Sequence, residues 1–334
     1  MKRKLTKAML LITLFISVEI IFVTECKAEK VFYLTNREHI FQVDKNGEDK
    51  FTTIQEAIDN ATDGTTIFVK NGVYTELLNI KKKIKIIGED KDKTIINPIS
   101  GNNGYAIRLG APEITIEKLS VTNGAPGLYT TGIQIAASKT EIRDCNIYDV
   151  PVGIAVWTSN NTIENCNFTG CNDEGIALIG TKYSNCDNNK ITYCTFYDNC
   201  DGIELQYSSE NNIEYCEFYE NTHTGIDAIA SSNNGNTIFN CKIYNNSVHG
   251  IYLSRSSDNQ ISNCQISDNV DGDIIMCKNS FDNEIENPSS NTNQETYTTG
   301  ENSYQKNMLN RILRLIPNLN NLRIIRFLRN FYNF

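Results

Sequence analysis

The sequence predicts an all-β protein built as a right-handed parallel β-helix of roughly ten coils, and three observations support this. First, one phrase recurs six times between Gly132 and Asp271: Gly-Ile opens a short apolar stretch, and Ile-x-x-Cys-x-(Ile/Phe) follows some ten to twenty residues later. Second, the period of 21 to 27 residues is too short for helical hairpins. Third, the β-type runs are short and are separated by Asn, Ser, Asp and Gly, which favour turns. Each repeat is therefore predicted to form one coil.

Aligning the repeats on their cysteine predicts the core. Ile stands three residues before the cysteine in every copy, and Ile or Phe stands two residues after it. Because strands of neighbouring coils lie about 4.8 Å apart, each column becomes a ladder of like side chains. The predicted cysteine ladder contains Cys145, Cys166, Cys194, Cys216, Cys241 and Cys264.

Two columns of asparagine flank these ladders, five residues before and five residues after the cysteine. They contain Asn161, Asn189, Asn211, Asn236 and Asn259, and Asn199, Asn221, Asn246 and Asn269. Asn tolerates left-handed backbone, and its amide can bond to the next coil. Both columns are therefore predicted to lie at corners.

The N-terminal segment is typical of an exported protein. Basic residues precede an apolar run that ends at Val23, and a small-residue site follows at Ala28, so residues 1–28 are predicted to be a signal peptide. An uncleaved anchor is the alternative. In both cases the protein is expected to be secreted or displayed at the cell surface.

The rest of the chain divides into four predicted parts. Residues 29–63 form an N-terminal cap region, in which a short helix with an apolar face plugs the first coil. Residues 64–288 form the β-helix, and residues 289–303 form a polar linker. Residues 304–334 form two short, basic amphipathic helices, which either cap the last coil or contact an anionic membrane surface.

Charge narrows the choice of partners. The formal charge is −9, but both ends are basic, so residues 29–302 carry −18. An acidic body argues against nucleic acid and against polyanions held in a basic groove. The predicted partner is a polysaccharide or a cell-envelope glycan. No cofactor is predicted, and calcium is the cation that an acidic surface would suit.

The residues before the repeats resemble the opening of pectin-lyase-fold proteins. The segments that carry this resemblance are Phe51–Ile58, Gly64–Val69, Asn71–Glu76, Ile84–Gly88 and Lys93–Ile96. The sequence is most similar to pectinesterases and to secreted proteins with a NosD-type β-helix, a family connected with nitrous-oxide-reductase maturation. The resemblance implies a fold, but not one activity, because this architecture serves lyases, hydrolases, esterases, epimerases and non-enzymes.

Catalytic motifs of these enzymes are missing from the sequence. The Asp-Phe-Ile-Phe-Gly segment of pectinesterases does not occur, so methylesterase activity is rejected, and the Asp-Pro-His-Asp motif of alginate epimerases does not occur either. Cys200–Ile203 and Val248–Ile251 are only faintly similar to polygalacturonase motifs. Both fall on the ordinary Gly-Ile position, which explains them without catalysis.

A candidate site lies on the strand that begins with Gly-Ile. Because side chains alternate along a strand, the residue after Gly-Ile is expected to point outward. This outward column contains Gln134, Ala155, Ala177, Glu204, Asp227 and Tyr252, and a flanking column just before the glycine contains Thr131, Val152, Glu174, Asp201, Thr224, His249 and Asp271.

Roles can be assigned to these residues by chemistry. Carboxylates one or two coils apart can act as an acid and base pair on a glycan, which makes Glu204, Asp227 and Asp201 the catalytic candidates. Exposed aromatic and polar side chains can hold sugars. The candidate substrate-binding residues are Glu174, His249, Tyr252, Trp157 and Arg255. The alternative is that an acidic, Asn-rich solvent face collects such residues without function.

The cysteines suggest metal or disulfide chemistry. The NosD resemblance implies copper, but a ladder position between Ile and Phe is typical of a small buried hydrophobe, so no metal site is predicted. Parallel side-chain vectors disfavour disulfides between neighbouring rungs. Cys171, Cys186 and Cys200, in loops of neighbouring coils, are better pairing candidates in an exported protein.

These observations favour an exported β-helix protein that presents an elongated surface for carbohydrate or cell-envelope binding. The first alternative is a polysaccharide lyase or glycoside hydrolase that uses the outward acidic residues. The second, implied by the resemblance alone, is a NosD-like accessory factor in metalloenzyme maturation.

Overall fold

The chain forms a parallel β-solenoid of about nine turns. A computed structural model describes residues 39–98, 104–122, 131–229, 232–277 and 279–286. Strands pair only in parallel within three long sheets, which contain eleven, nine and nine strands. The predicted signal peptide, polar linker and basic tail lie outside the described residues.

The three sheets, A, B and C, run along the solenoid, and each complete coil adds one strand to each. Sheet A contains β1 (Ile40–Val43), β2 (Thr66–Val69), β5 (Lys85–Gly88), β8 (Thr115–Glu117), β11 (Glu141–Arg143), β14 (Thr162–Glu164), β17 (Lys190–Thr192), β20 (Asn212–Glu214), β23 (Thr237–Phe239), β26 (Gln260–Ser262) and β29 (Glu284–Glu286). Sheet B contains β3 (Gly72–Tyr74), β6 (Thr94–Ile96), β9 (Ser120–Thr122), β12 (Asn146–Tyr148), β15 (Asn167–Thr169), β18 (Thr195–Tyr197), β21 (Glu217–Tyr219), β24 (Lys242–Tyr244) and β27 (Gln265–Ser267). Sheet C contains β4 (Leu78–Ile80), β7 (Tyr105–Leu109), β10 (Thr131–Ile135), β13 (Val152–Val156), β16 (Glu174–Ile179), β19 (Asp201–Gln206), β22 (Ile226–Ala228), β25 (His249–Leu253) and β28 (Gly272–Met276).

One short helix, α1 (Ile54–Asn60), lies against the first strands. The carboxylate of Glu76 accepts hydrogen bonds from the backbone N–H groups of Ile54 and Gln55, both at 2.8 Å, which satisfies two donors of the first turn. Its buried residues are Ile54, Ala57 and Ile58. Its role as a plug of the first coil remains a prediction. Within the described ranges, no helix has the length and apolar character needed to cross a membrane.

The predicted ladders are confirmed in the core. The sheet A ladder pairs Ile142, Ile163, Ile191, Ile213, Ile238 and Ile261 in register. In sheet B, the rings of Phe168, Phe196 and Phe218 stack with centroids 4.7 Å apart at each step. Burying each such side chain stabilises the fold by roughly 1.5–3 kcal/mol.

The cysteine ladder is buried, and its thiols bond to the backbone. Cys216 Sγ donates to the carbonyl oxygen of Glu214 at 3.3 Å and lies 3.6 Å from that of Ile191 in the preceding coil. The other rungs repeat this arrangement, as at Cys241 with Phe239 and Ile213. Cysteine here fills a narrow corner beside the Ile and Phe ladders.

We predict that Cys216→Ser lowers the free energy of unfolding by about 1 to 3 kcal/mol, because a smaller and more polar hydroxyl replaces a buried thiol. Urea unfolding measures this change. Cys277→Ser, at a half-buried position outside the ladder, is the matched control and should cost less. Loss of a stoichiometric metal on the Cys216 change would instead identify the ladder as a metal site.

Both asparagine columns lie at corners, as predicted, but the conformational reason given for them is wrong. The ladder amides bond along the axis: Asn189 Nδ2 donates to Asn211 Oδ1 at 3.0 Å, and Asn221 Nδ2 donates to Asn246 Oδ1 at 2.9 Å. The left-handed residue is the one before the ladder position, as at Asn188, where φ is 56°. The exposed residue therefore turns the chain, which leaves the following Asn free to align its amide with the next coil.

The predicted disulfide candidates are unpaired, so this prediction is wrong. Cys171, Cys186 and Cys200 are buried free thiols. Cys171 occupies a rung of the second asparagine column, where its backbone N–H donates to Asn199 Oδ1 at 3.0 Å. Cys186 Sγ donates to the carbonyl oxygen of Val156 at 3.2 Å.

The repeated glycine of sheet C is required by close packing. A Cβ on Gly202 would lie 2.5 Å from the carbonyl oxygen of Gly225 and 2.6 Å from the Phe218 ring. The backbone of Gly202 is not left-handed. Glycine is therefore required here because a Cβ would clash, and not because of its conformational freedom. The Gly-Ile pair thus marks where sheet B packs against the start of sheet C.

Candidate functional site

The predicted outward column exists in register on sheet C, but much of it is covered. Glu204 pairs with Ala177 on one side and with Asp227 on the other, and Asp227 pairs with Tyr252. Asp227 is 0% exposed, and Glu204 is half-buried. The expectation of an open, solvated face is therefore wrong. A small apolar cluster of Ile229, Tyr252 and Ile275 lies on the outer face of the sheet and contributes to this burial.

The flanking column is in register where Thr131 pairs with Val152. Glu174 pairs with Asp201 in register. His249, however, lies opposite Gly272 rather than Asp271, because Ile274 takes the place in the Ile ladder opposite Ile251. The last coil reads Gly-Asp-Ile instead of Gly-Ile, which shifted the sequence alignment by one residue.

The structure adds His223 to the candidate residues. His223 Nδ1 lies 2.6 Å from Asp201 Oδ1 and 3.9 Å from Asp227 Oδ2. Asp201 Oδ1 also accepts the backbone N–H of Thr224 at 2.8 Å. Both carboxylates and the imidazole are buried. Asp201, His223 and Asp227 together form an acid–histidine cluster, a name used below for these three residues.

His223 and the nearby His249 differ in charge. Burial alone would lower the pKa of His223, but the hydrogen bond and the charge of Asp201 raise it to about 9. His223 is therefore a cation at neutral pH, held between two carboxylates. Burial and the nearby His223 charge lower the pKa of His249 to about 4, so His249 is neutral.

The carboxyl groups of Glu204 and Glu174 have raised pKa values. Burial first, and then the charge of Asp227, raise the pKa of the Glu204 carboxyl well above its usual range. Burial and the charge of Asp173 do the same for Glu174. For Glu204, burial is a larger cause than repulsion from Asp227. A half-buried carboxyl with a raised pKa, as at Glu204, has the properties of a general acid.

The predicted substrate-binding residues are only partly brought together. The Tyr252 ring stacks on His249 at 5.3 Å, and its Oη accepts a hydrogen bond from Cys277 Sγ at 2.9 Å. Trp157 is exposed and follows β13, two coils from Glu204. Arg255 is exposed in the turn after β25. Glu174 is buried beside Asp201.

The sequence analysis assigned no role to His223. Alternation along the strand identified Asp201 and Asp227, whereas His223 lies in the corner before β22 and outside any strand. The available signal was its position one residue before Thr224 of the flanking column. The conformation of the corner decides where the His223 ring points, and the repeat period of the sequence does not predict that conformation.

The acid–histidine cluster offers two oxygen donors and one nitrogen within 4.8 Å of one another, a spacing that a divalent cation could use. His223 Nδ1, however, is engaged with Asp201, and the ring is cationic. Calcium prefers six to eight oxygen ligands. The arrangement fits a buried ion pair better than a metal site.

Copper does not fit the residues described either. Copper(I) prefers soft sulfur ligands, and the acid–histidine cluster has none. The ladder thiols are buried and bonded to backbone carbonyls, as Cys216 Sγ is to the carbonyl oxygen of Glu214. The proposed cleavage of glycosidic bonds does not require copper.

Comparisons with known proteins agree with this architecture. A family model described as right handed beta helix region matches residues 86–235, and one described as periplasmic copper-binding protein (NosD) matches residues 178–313. Pectinesterase/pectinesterase inhibitor 18 of Arabidopsis thaliana is 27% identical over 161 residues, which cover 43% of this chain and 29% of that protein. The match thus spans less than a third of the relative's length.

Two solved structures share the fold. A rhamnogalacturonan lyase superposes with a TM-score of 0.56 at 13% identity, covering 78% of this chain and 89% of its own. The ORF18 protein of Geobacillus virus E2 superposes with a TM-score of 0.54 at 15% identity, covering 78% and 61%. Together with the family models, they show that the chain has the right-handed β-helix fold of pectin-lyase-like proteins.

Proposed function

We propose that this chain works outside the cytoplasm on a polysaccharide, and that it cleaves glycosidic bonds at sheet C with Glu204 as the proton donor. The observation that carries this proposal is the half-buried Glu204 carboxyl, which has a raised pKa and pairs in register with the buried Asp227. Perturbed carboxyl groups gathered on one face are typical of catalytic sites. The polysaccharides in the names of β-helix relatives, and the periplasmic description of one family model, support the setting.

The acid–histidine cluster would tune this acid without touching the substrate. Asp227 is fully buried, and its charge helps to keep the proton on Glu204. His223 balances the charges of Asp201 and Asp227, which holds the buried carboxylates in place. In hydrolysis, Glu204 would protonate the glycosidic oxygen as its bond breaks, and water would supply the hydroxyl of the new sugar end and return its released proton to the Glu204 carboxylate.

Two other functions remain as candidates. A glycan-binding surface without catalysis is favoured by exposed tyrosines on a different corner, described below. An accessory role in metalloenzyme maturation rests on the NosD family model alone. Contact between the basic tail and an anionic membrane surface is also a proposal.

The decisive measurement is the release of reducing ends and unsaturated uronates from a panel of polysaccharides. We expect turnover by the wild type and a loss of at least about 100-fold for Glu204→Gln, with an unchanged melting temperature. Glu220→Gln, an exposed corner glutamate, is the matched control and should retain activity. Wild-type protein that binds glycans but cleaves none would exclude the enzyme.

A further inference from the structure

Two tyrosines occupy an unusual backbone position at the corner between sheets A and B. The residue before each ladder cysteine, or its equivalent, has left-handed backbone with φ between 51° and 56°. This corner column contains Lys118, Asp144, Asn165, Tyr193, Tyr215, Asn240 and Asn263. Asn and Asp suit that conformation, whereas a bulky aromatic residue is strained in it. Strain of this kind is concentrated at functional sites.

The two rings form a platform with one open face. Tyr193 and Tyr215 stack with centroids 5.0 Å apart and an interplanar angle of 11°. The other side of Tyr215 meets Phe239 in an edge contact at 5.6 Å. Tyr215 is thus held on both sides, while Tyr193 is 55% exposed and its second face borders a groove.

That groove is polar and nearly neutral. It encloses about 490 Å³, and its lining residues are Glu117, Arg143, Asp144, Glu164, Asn165 and Tyr193. Each carboxylate in it is paired: Glu117 with Lys85 at 2.8 Å, Asp144 with Lys91 at 2.9 Å, and Glu164 with Arg143 at 3.6 Å. Such a wall offers many hydrogen-bond donors and acceptors, but little net charge for a charged ligand to pair with.

A second groove continues the line beyond Tyr215. It encloses about 250 Å³ and includes Asn240 and Asn263 of the corner column. The two grooves and the tyrosines between them span seven coils, about 29 Å at the usual strand spacing. This length suits a linear oligomer that runs along the solenoid axis.

Another tyrosine ladder on the molecule lacks these properties. Tyr197, Tyr219 and Tyr244 stack on the outside of sheet B with centroids 5.4 Å apart. Both faces of the central ring are covered by its neighbours, and all three side chains are half-buried. Tyr193 differs from these three rings because its side chain is exposed.

We infer that the corner between sheets A and B binds a neutral, unbranched oligosaccharide, with one sugar ring stacked on the open face of Tyr193. Sugar hydroxyl groups bond to the paired charges of the 490 Å³ groove. Tyr215 acts as a positioning residue that fixes the plane of Tyr193. The inference rests on the proposed glycan role but not on catalysis by Glu204, which lies on a different sheet.

Calorimetric titration with neutral hexasaccharides of gluco, manno and galacto configuration, and with hexagalacturonate, tests this inference. We expect one neutral hexasaccharide to bind, and Tyr193→Asn to weaken its binding at least tenfold. Asn is the residue that the same corner carries at Asn165 and Asn240, so the variant should fold with an unchanged or higher melting temperature. Tyr193→Phe should retain most of the affinity.

The control is Tyr183→Ala, which removes a more exposed tyrosine in a loop after sheet C and should leave binding unchanged. The inference is overturned if no neutral hexasaccharide binds, if hexagalacturonate binds more tightly, or if Tyr193→Asn binds like the wild type. The proposed hydrolase can fail separately. If binding depends on Tyr193 but no turnover is detected, the oligosaccharide site is supported and the role of Glu204 as a general acid is excluded.

Discussion

Replacing Gly202 by alanine is expected to lower the free energy of unfolding by about 3 kcal/mol or more, at the upper end of overpacking effects. The added methyl group would meet the carbonyl oxygen of Gly225 at 2.5 Å and the ring of Phe218 at 2.6 Å. The carbonyl belongs to the neighbouring coil, and the ring is fixed in a stacked ladder. Neither can move without disturbing further coils. Urea unfolding, followed by circular dichroism, measures the change.

Gly64→Ala is the matched control. A Cβ on Gly64 meets nothing within 4 Å, so this variant carries only the cost of left-handed backbone, about 1–2 kcal/mol. The difference between the two variants isolates the clash. Equal losses of stability would show that the solenoid accommodates a methyl group at the Gly-Ile position, and that close packing does not explain the repeat.

The stability of the wild type is expected to fall by about 3 kcal/mol between pH 6.5 and pH 9 through the titration of His223. Its pKa is raised from 6.5 to about 9 in the folded state. The stabilisation is therefore complete below pH 6.5 and is lost as the pH rises through 9. Asp201, Asp227 and Asp271 supply the favourable charge, and burial opposes it.

His223→Gln isolates this effect. The variant should be less stable than the wild type at pH 6, and the difference should disappear near pH 10. Glu204 and Glu174 also lose stabilisation as the pH rises, but they are present in both proteins and cancel in the comparison. His249 acts in the opposite direction, and its pKa of about 4 places its effect below pH 6.5. A pH-independent difference between the two proteins would contradict the assigned charge of His223.

The ladders could be predicted because each rung repeats one residue type at one spacing. The cysteine, the Ile three residues before it and the Ile or Phe two residues after it define the interior of a coil without knowledge of its neighbours. The register of Glu204 with Asp227 followed from the same alignment. Where the phrase changed to Gly-Asp-Ile in the last coil, the alignment failed by one residue.

What could not be predicted depends on corners and on lateral packing. Strand alternation places Asp227 on the outer face, but only the structure shows that neighbouring side chains cover it completely. The direction of His223 follows from a corner whose conformation has no fixed period. The platform at Tyr193 was not predicted, because the residue before the cysteine differs in type from coil to coil.

At the corners, an exposed residue with left-handed backbone is followed by a buried ladder residue. Substitutions at these two positions therefore have different effects on the protein. Substitutions at Asn188, Tyr193 or Glu220 alter what the surface presents, because those side chains do not enter the core. Their successors, Asn189, Cys194 and Asn221, hold neighbouring coils in register. Single substitutions at exposed corner positions can therefore change the ligand preference, while the buried residues of the adjacent column continue to specify the fold.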